Sequence, residues 1–293
     1  GIALALDDAL AAKSAPAGLQ VIYRDSASDP TRAAAAADAL FDVGALIVVG
    51  GVTSAEATAM IPVADRWERV LLSPSASAPE LAKKSVYFFR VFPSDDLEGV
   101  KAADLLAITR TARTVLIIQE DNTYSRGLLP VFVGEYQNQG GRVVGSVVSG
   151  AAGWENEVRK QVAAQQPAAI YVCGYGDAII EALRVVRGVA YPGTVCTTSA
   201  IHAAALLQRA GTLAEGVFLP LAGFDVGSQQ EPIRGFVARY RQVYNMVPDL
   251  YAARVAVVRE RVELPARGLP EDGDQRALAE VGDLADGRDP EPP

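Results

Sequence analysis

Val48-Val49-Gly50-Gly51-Val52-Thr53-Ser54 and Leu71-Leu72-Ser73-Pro74-Ser75-Ala76-Ser77-Ala78-Pro79-Glu80 each read as a buried strand running through a serine-bearing turn into a helix start. Both carry the spacing of a capping box, Thr53 to Glu56 and Ser77 to Glu80. A helix start presents unpaired N–H groups and a partial positive charge. Two such turns side by side therefore predict an anion pocket that needs no metal, cofactor or cationic side chain.

Outward from these turns, short apolar runs alternate with helix-period segments along the chain. Strands are expected at 19–23, 45–49, 70–72, 115–119, 142–148, 168–173, 193–197 and 216–219. Helices are expected at 31–42, 54–66, 94–108, 124–139, 154–165, 176–188 and 201–210, with two more at 231–245 and about 250–263. This alternation means βαβ units, hence an α/β fold built on doubly wound parallel sheet. The rhythm breaks at the polar junction 110–114 and again after Leu219-Pro220-Leu221-Ala222-Gly223, which mark lobe boundaries.

At 293 residues and half apolar, the chain is long enough for two lobes. A formal charge of -8 argues against a nucleic-acid surface. Residues 264–293 contribute -5 of it and are rich in Pro, Gly, Asp and Arg, so they read as a poorly ordered acidic tail. No apolar run approaches the roughly 18 residues of a membrane helix. The opening residues 1–8 read as the middle of an amphipathic helix with no cap before it. A processed chain or fragment is therefore expected, with any export signal already gone.

Several further runs carry a family resemblance. Asp29-Pro30, Val49-Gly50-Gly51, Ser73-Pro74-Ser75-Ala76-Ser77, Phe92-Pro93-Ser94-Asp95-Asp96, Asp121-Asn122-Thr123-Tyr124-Ser125-Arg126-Gly127, Gly140-Gly141-Arg142-Val143-Val144 and Phe236-Val237-Ala238-Arg239-Tyr240 occur in the order seen in the branched-chain amino acid type of periplasmic binding protein, which the chain resembles over roughly 1–260. The resemblance implies two doubly wound lobes joined by a hinge, with ligand held in the cleft at the carboxyl ends of the strands. Placed on this sequence, 1–109 plus 222–263 form the N-terminal lobe and 110–221 the C-terminal lobe. The family's first strand and first ligand loop find no counterpart here, and its closing strands are not found in 264–293.

The candidate ligand residues follow. Thr53 reads as the helix cap, its hydroxyl occupied by the N–H three residues on. Ser54, one step inside the helix, has no such duty, and the resemblance makes it a carboxylate donor. Ser75 offers a backbone carbonyl to a ligand amine by resemblance, and Ser77 binds both ends of the ligand, although capping competes for its hydroxyl. Tyr124 matches a tyrosine that closes over the ligand from the C-terminal lobe, and Tyr175 holds the equivalent place one unit later. Asp121 could receive an ammonium group, yet an acid at a strand end is more often a turn former.

The departure from the family is at Thr197-Thr198-Ser199-Ala200. Amino-acid-binding relatives commonly carry an acid where Ser199 stands. Either Asp121 or Asp177 replaces that acid, or the ligand is an amide, a urea-like solute or a simple carboxylate. His202, the only histidine, cannot build a metal site alone. Cys173 and Cys196 read as buried free thiols, with a disulfide the alternative, and Trp67 and Trp154 as packing residues.

An enzyme is the competing class. Neither Gly-x-Gly-x-x-Gly after a strand nor a Gly-x-Ser-x-Gly elbow occurs, and one histidine leaves little for acid–base chemistry. The expectation is an extracytoplasmic solute-binding protein of an ABC uptake system. It would be periplasmic or lipid-anchored outside the cell, monomeric, without cofactor, and able to dock a membrane permease. The alternative is a ligand-sensing domain of a receptor or amide-responsive regulator with the same fold.

Overall fold

Parallel strands need a crossover, and here each crossover is a helix. In the computed structural model, residues 2–11, 19–221, 223–231 and 233–253 are described, and they belong to one compact unit, Gly1–Ala256. The helix α1 (Ile2–Ala11) is followed by α2 (Pro30–Asp42), β1 (Ile47–Val49), α3 (Ser54–Trp67), β2 (Val70–Ser73), β3 (Phe88–Arg90) and α4 (Asp95–Asp104). Then come β4 (Thr114–Glu120), α5 (Thr123–Asn138), β5 (Arg142–Ser149), α6 (Trp154–Gln165), β6 (Ala169–Cys173), α7 (Gly176–Gly188), β7 (Thr194–Thr197), α8 (Ala204–Ala210), β8 (Val217–Phe218) and α9 (Ile233–Tyr244). The strands form two sheets, β1-β2-β3 and β5-β4-β6-β7-β8, and every strand pairing is parallel.

Local sequence explains the helix starts. Asp29 caps α2 by accepting from the Arg32 N–H, and Pro30 stands at the first helical position, where no N–H is needed. The apolar stripe Ala33, Ala37 and Phe41 faces inward. Thr53 and Glu56 form the expected capping box at α3. Asn122 caps α5 through the Ser125 N–H.

The larger sheet is buried on both faces, as parallel sheets are. One face carries Val115, Ile117, Tyr171 and Cys173, packed under α4 and α5. The other carries Leu116, Ile118, Ile170 and Val172, covered by α6 and α7. A separate cluster of α2, α3 and β2 residues, among them Phe41, Ala57, Ile61 and Leu71, fills the smaller-sheet half. Gly99 lets α4 sit tightly on α5, because a Cβ there would lie 3.0 Å from Val131. That seam fixes α4 against the helix that begins with Thr123 and Tyr124.

Several expectations need correction. Residues 19–23 are not a strand; they are exposed and unpaired, and no described neighbour supplies the ladder that would hold them. β3 was not anticipated, since three partly buried residues give no alternation to read. The helix expected at 94–108 is α4 followed by a π-helical turn, Leu105–Thr109. The second capping box is absent. Ala78 precedes Pro79 and is extended, as a residue before proline prefers, and only a three-residue 3₁₀ turn, Pro79–Leu81, follows with no side-chain cap. Only the first serine turn opens a true α-helix. The expectations for 254–263 and for the acidic tail at 264–293 lie outside the described residues. Cys173 and Cys196 are buried free thiols, and burial pushes both thiol pKa values up.

Candidate functional site

The two serine turns are laced together by their own hydroxyls. Ser73 Oγ donates to the Gly51 carbonyl at 2.6 Å and accepts the Ala76 N–H at 2.9 Å. Ser75 Oγ donates to the Val52 carbonyl at 2.6 Å. Ser54 Oγ accepts the Ala78 N–H at 3.2 Å, so this hydroxyl does have a structural duty, contrary to expectation, while its proton remains available to donate. Gly51 is required between them. Its φ of +73° favours glycine, and a Cβ would stand 2.9 Å from the Ala57 Cα.

The opposite wall comes from the carboxyl ends of β4, β6 and β7. Tyr175 N–H donates to Glu120 Oε2 at 2.8 Å, Ser125 Oγ donates to the Cys173 carbonyl at 3.3 Å, and Thr198 Oγ1 donates to the Gly174 carbonyl at 2.9 Å. These bonds hold Tyr124 and Tyr175 stacked, with ring centroids 5.2 Å apart and planes 12° from parallel. Burial pushes both phenol pKa values up, Tyr175 to about 12.

Between the walls lies a cavity of about 260 Å³. Ser54, Ser75, Ser77, Tyr124, Tyr175 and Ser199 all line it. Six of the seven expected ligand residues are thus brought together from stretches far apart in sequence. Asp121 is not among them, because its side chain is largely exposed and ion-paired to Arg126. Asp177 is likewise exposed and paired to Arg209. The acid of the cleft is instead Glu98, on the first turn of α4. Its Oε1 accepts the Ser199 N–H at 2.6 Å and its Oε2 accepts the Ser199 hydroxyl at 2.9 Å, while Tyr124 OH stands 3.4 Å from Oε1. Although Glu98 is partly open to the cleft, burial pushes its carboxyl up, and the Ser199 and Tyr124 donors offset part of that rise.

Glu98, Phe92, Leu206 and Tyr251 are among the lining residues that sequence reading missed. An acid in a first helical turn reads as a complement to the helix dipole, which hides a second role. The available signal was the spacing of Asp95 and Glu98, three apart and hence on one face of α4. Asp95 is only 1% exposed, and no well-formed hydrogen bond reaches either carboxylate oxygen. Burial, then the Glu98 charge, raise its pKa to about 8, with the nearby Ser77 hydroxyl and Arg90 offsetting part of the rise. Phe92 stacks on Tyr251 at 5.8 Å, closing the apolar side of the cavity.

A family profile described as periplasmic binding protein matches residues 1–257. An amino acid binding protein of Pseudomonas aeruginosa is 29% identical over 112 residues, a match covering 38% of this chain and 30% of that protein's length. Among solved structures, the substrate binding protein LivJ of Streptococcus pneumoniae, a branched-chain amino acid transporter component in complex with isoleucine, superposes with a TM-score of 0.79 at 23% identity, covering 88% of this chain and 75% of that one. A solute binding protein of an ABC transporter from R. palustris, in complex with benzoate, gives a TM-score of 0.73 at 16% identity over 88% and 73% of the two chains. At these identities the structural likeness establishes the fold: two parallel-sheet halves of the type I periplasmic binding architecture.

Proposed function

The chain belongs to the periplasmic binding protein family, and from that premise we propose that it is the solute-binding protein of an ABC uptake system, holding a small amino acid, amide or carboxylate between two hinged lobes. The lobes would be 1–109 plus 222–263 and 110–221, working as a monomer that docks a membrane permease. The family implies an extracytoplasmic location. Among the described residues no helix is long and apolar enough to cross a membrane, and a lipid anchor is part of the proposal.

The observation that carries this reading is the cavity itself, walled by the serine turns on one side and the stacked tyrosines on the other. At about 260 Å³ it lies just below the roughly 300–1,000 Å³ range of small-molecule pockets, which suits a solute no larger than an amino acid. The N-terminus of α3 brings its dipole and the Ser54 hydroxyl to one end, a setting that favours a carboxylate. Isoleucine and benzoate, the solutes named for the two solved neighbours, share that group. Closure would follow from ligand contacts made to both walls at once, which bias the closed state. We read the chain as a binder and not an enzyme, and turnover of a bound solute would refute that.

Calorimetric titration of the full-length protein with L-amino acids, their amides and aromatic carboxylates tests the proposal. Micromolar binding of at least one member is expected. Binding of none would overturn it.

A further inference from the structure

We propose that the cleft opens and closes about residues 91–94, so that α4 and its acid Glu98 travel with the larger sheet. The lobe boundary read from the sequence at 109 then moves forward to 94. The inference rests on the hinged solute-binding reading above and goes beyond it, because it says which residues move together.

A helix moves with the body that buries its apolar face. Ala102 and Ala103 of α4, with Leu106 and Ala107 of the π-helical turn after it, are fully buried in one cluster with Val115 and Ile117 of β4 and Leu128 and Phe132 of α5. The buried cluster of the smaller-sheet half contains none of them. Polar contacts run the same way. Glu98 accepts from the Ser199 N–H and hydroxyl, Gln139 Nε2 donates to Asp104 Oδ1 at 2.7 Å, and the Arg110 guanidinium lies 4.5 Å from the centre of the Phe218 ring of β8. Pulling α4 off the larger sheet would return those apolar side chains to water, a loss that grows with the area exposed.

The polar junction after α4 is pinned on the same side. The Arg110 and Ala112 N–H groups donate back to the Leu105 and Leu106 carbonyls, Tyr136 Oη donates to the Ala112 carbonyl at 2.7 Å, and Arg113 Nη1 donates to the Gln139 carbonyl at 2.7 Å. Little freedom is left there for a pivot. Forward of α4, Val91 N–H donates to the Ser73 carbonyl at 3.1 Å, holding the chain to β2, and Asp95 N–H donates to the Ser77 carbonyl at 2.9 Å. Residues 91–94 between those two bonds are neither strand nor helix, and Pro93 has no N–H to tie. A few irregular residues between two packed bodies are what absorbs a hinge rotation. The Asp95 bond sits at the end of the pivot, where displacement is least. Glu98, Tyr124, Tyr175 and Ser199 then form one preassembled wall, to which the smaller half brings Ser54, Ser75 and Ser77.

Two disulfide staples in the full-length protein test this, each compared oxidised and reduced by small-angle X-ray scattering with no solute present. Gly99→Cys with Val131→Cys joins α4 to α5, where the two Cβ positions lie 3.0 Å apart. Gly127→Cys with Ala78→Cys joins α5 to the smaller half, where they lie 3.3 Å apart. Both spacings are under the roughly 3.5–4.5 Å between the Cβ atoms of a disulfide, so neither staple needs the bodies to approach further. The native Cys173 and Cys196 are buried. Oxidising the second staple should lower the radius of gyration, because it holds the cleft shut, and reduction should restore it. Oxidising the first should leave the radius unchanged.

Compaction by the first staple would place the pivot behind α4 and overturn the proposal while leaving hinge closure intact. No change with either staple would mean that the halves do not part, which overturns the proposal and removes closure from the binding reading, whose calorimetric test on the unmodified protein stands apart. Should either double variant fail to melt cooperatively when reduced, spin labels at exposed positions report the same motion. Lys101→Cys with Gln137→Cys should give one narrow distance, and Lys101→Cys with Ala35→Cys a broader one. Equal widths, or the reverse order, would refute the assignment.

Discussion

Replacing Asp95 by Asn should change how stability depends on pH. In the folded protein the Asp95 carboxyl is raised from 3.8 to about 8 by burial and by the neighbouring Glu98 charge. Between those values the folded state holds a proton that the unfolded state has released. The stabilisation is therefore fully present below about pH 4 and is lost as pH rises towards 8. Each unit of pH in that window is worth at most about 1.4 kcal/mol, so going from pH 8 to pH 6 should add up to about 3 kcal/mol to the unfolding free energy. Burial raises Glu98 in the same direction, so the difference between wild type and Asp95→Asn, not the wild-type slope alone, isolates Asp95. Urea unfolding followed by circular dichroism at pH 5, 6, 7 and 8 measures it. The variant should flatten the slope and be the more stable protein at pH 8. A wild-type stability that is flat or rises between pH 6 and 8, or a variant that keeps the full slope, would refute the reasoning.

Gly127→Ala tests the seam between α5 and the Pro79 turn, because a Cβ there would stand 3.0 Å from the Pro79 ring and 3.3 Å from Ala78, while the 2.7 Å approach to Glu80 Oε2 involves a flexible chain end. Alanine improves α5 by up to about 1 kcal/mol but overpacks that seam at a cost of about 1–3 kcal/mol, so the urea midpoint should fall despite the better helix former; a midpoint that rises would mean the seam has room for the added methyl. Ser54→Ala removes the acceptor of the Ala78 N–H and should lower stability in urea by about 1–3 kcal/mol while weakening a carboxylate ligand by more than about 1 kcal/mol; equal stability and equal affinity would take Ser54 out of both roles.

The layered fold was readable because parallel strands buried on both faces leave apolar runs, and capped helices announce their starts. β4, α5, α6 and α7 fall within a residue of their expected bounds. The failures have physical causes. Residues 19–23 have strand composition, but a strand exists only through its partner's ladder. Ser77 to Glu80 has capping-box spacing, but Pro79 and the short run to β3 leave room only for a 3₁₀ turn. Within the site, Ser54, Ser75, Ser77, Tyr124, Tyr175 and Ser199 were picked out by their places near strand ends and helix starts together with the family resemblance, and all six line the cavity. Glu98 was not, since nothing local distinguishes an acid that serves the helix dipole from one aimed at residue 199. The contact is tertiary: α4 lies tight on α5 at Gly99, and Glu98 beside it accepts the Ser199 N–H from 101 residues away in sequence.

The outer edge of the smaller sheet carries a consequence for handling the protein. Among the described residues β1 ends that sheet, and Leu46, Ile47 and Val49 along it are between 41% and 64% exposed. No lysine, proline or bulge interrupts the run, which are the usual guards against strand addition by another chain. Purified material should therefore aggregate in proportion to its concentration through this edge, and light scattering at several dilutions would register it.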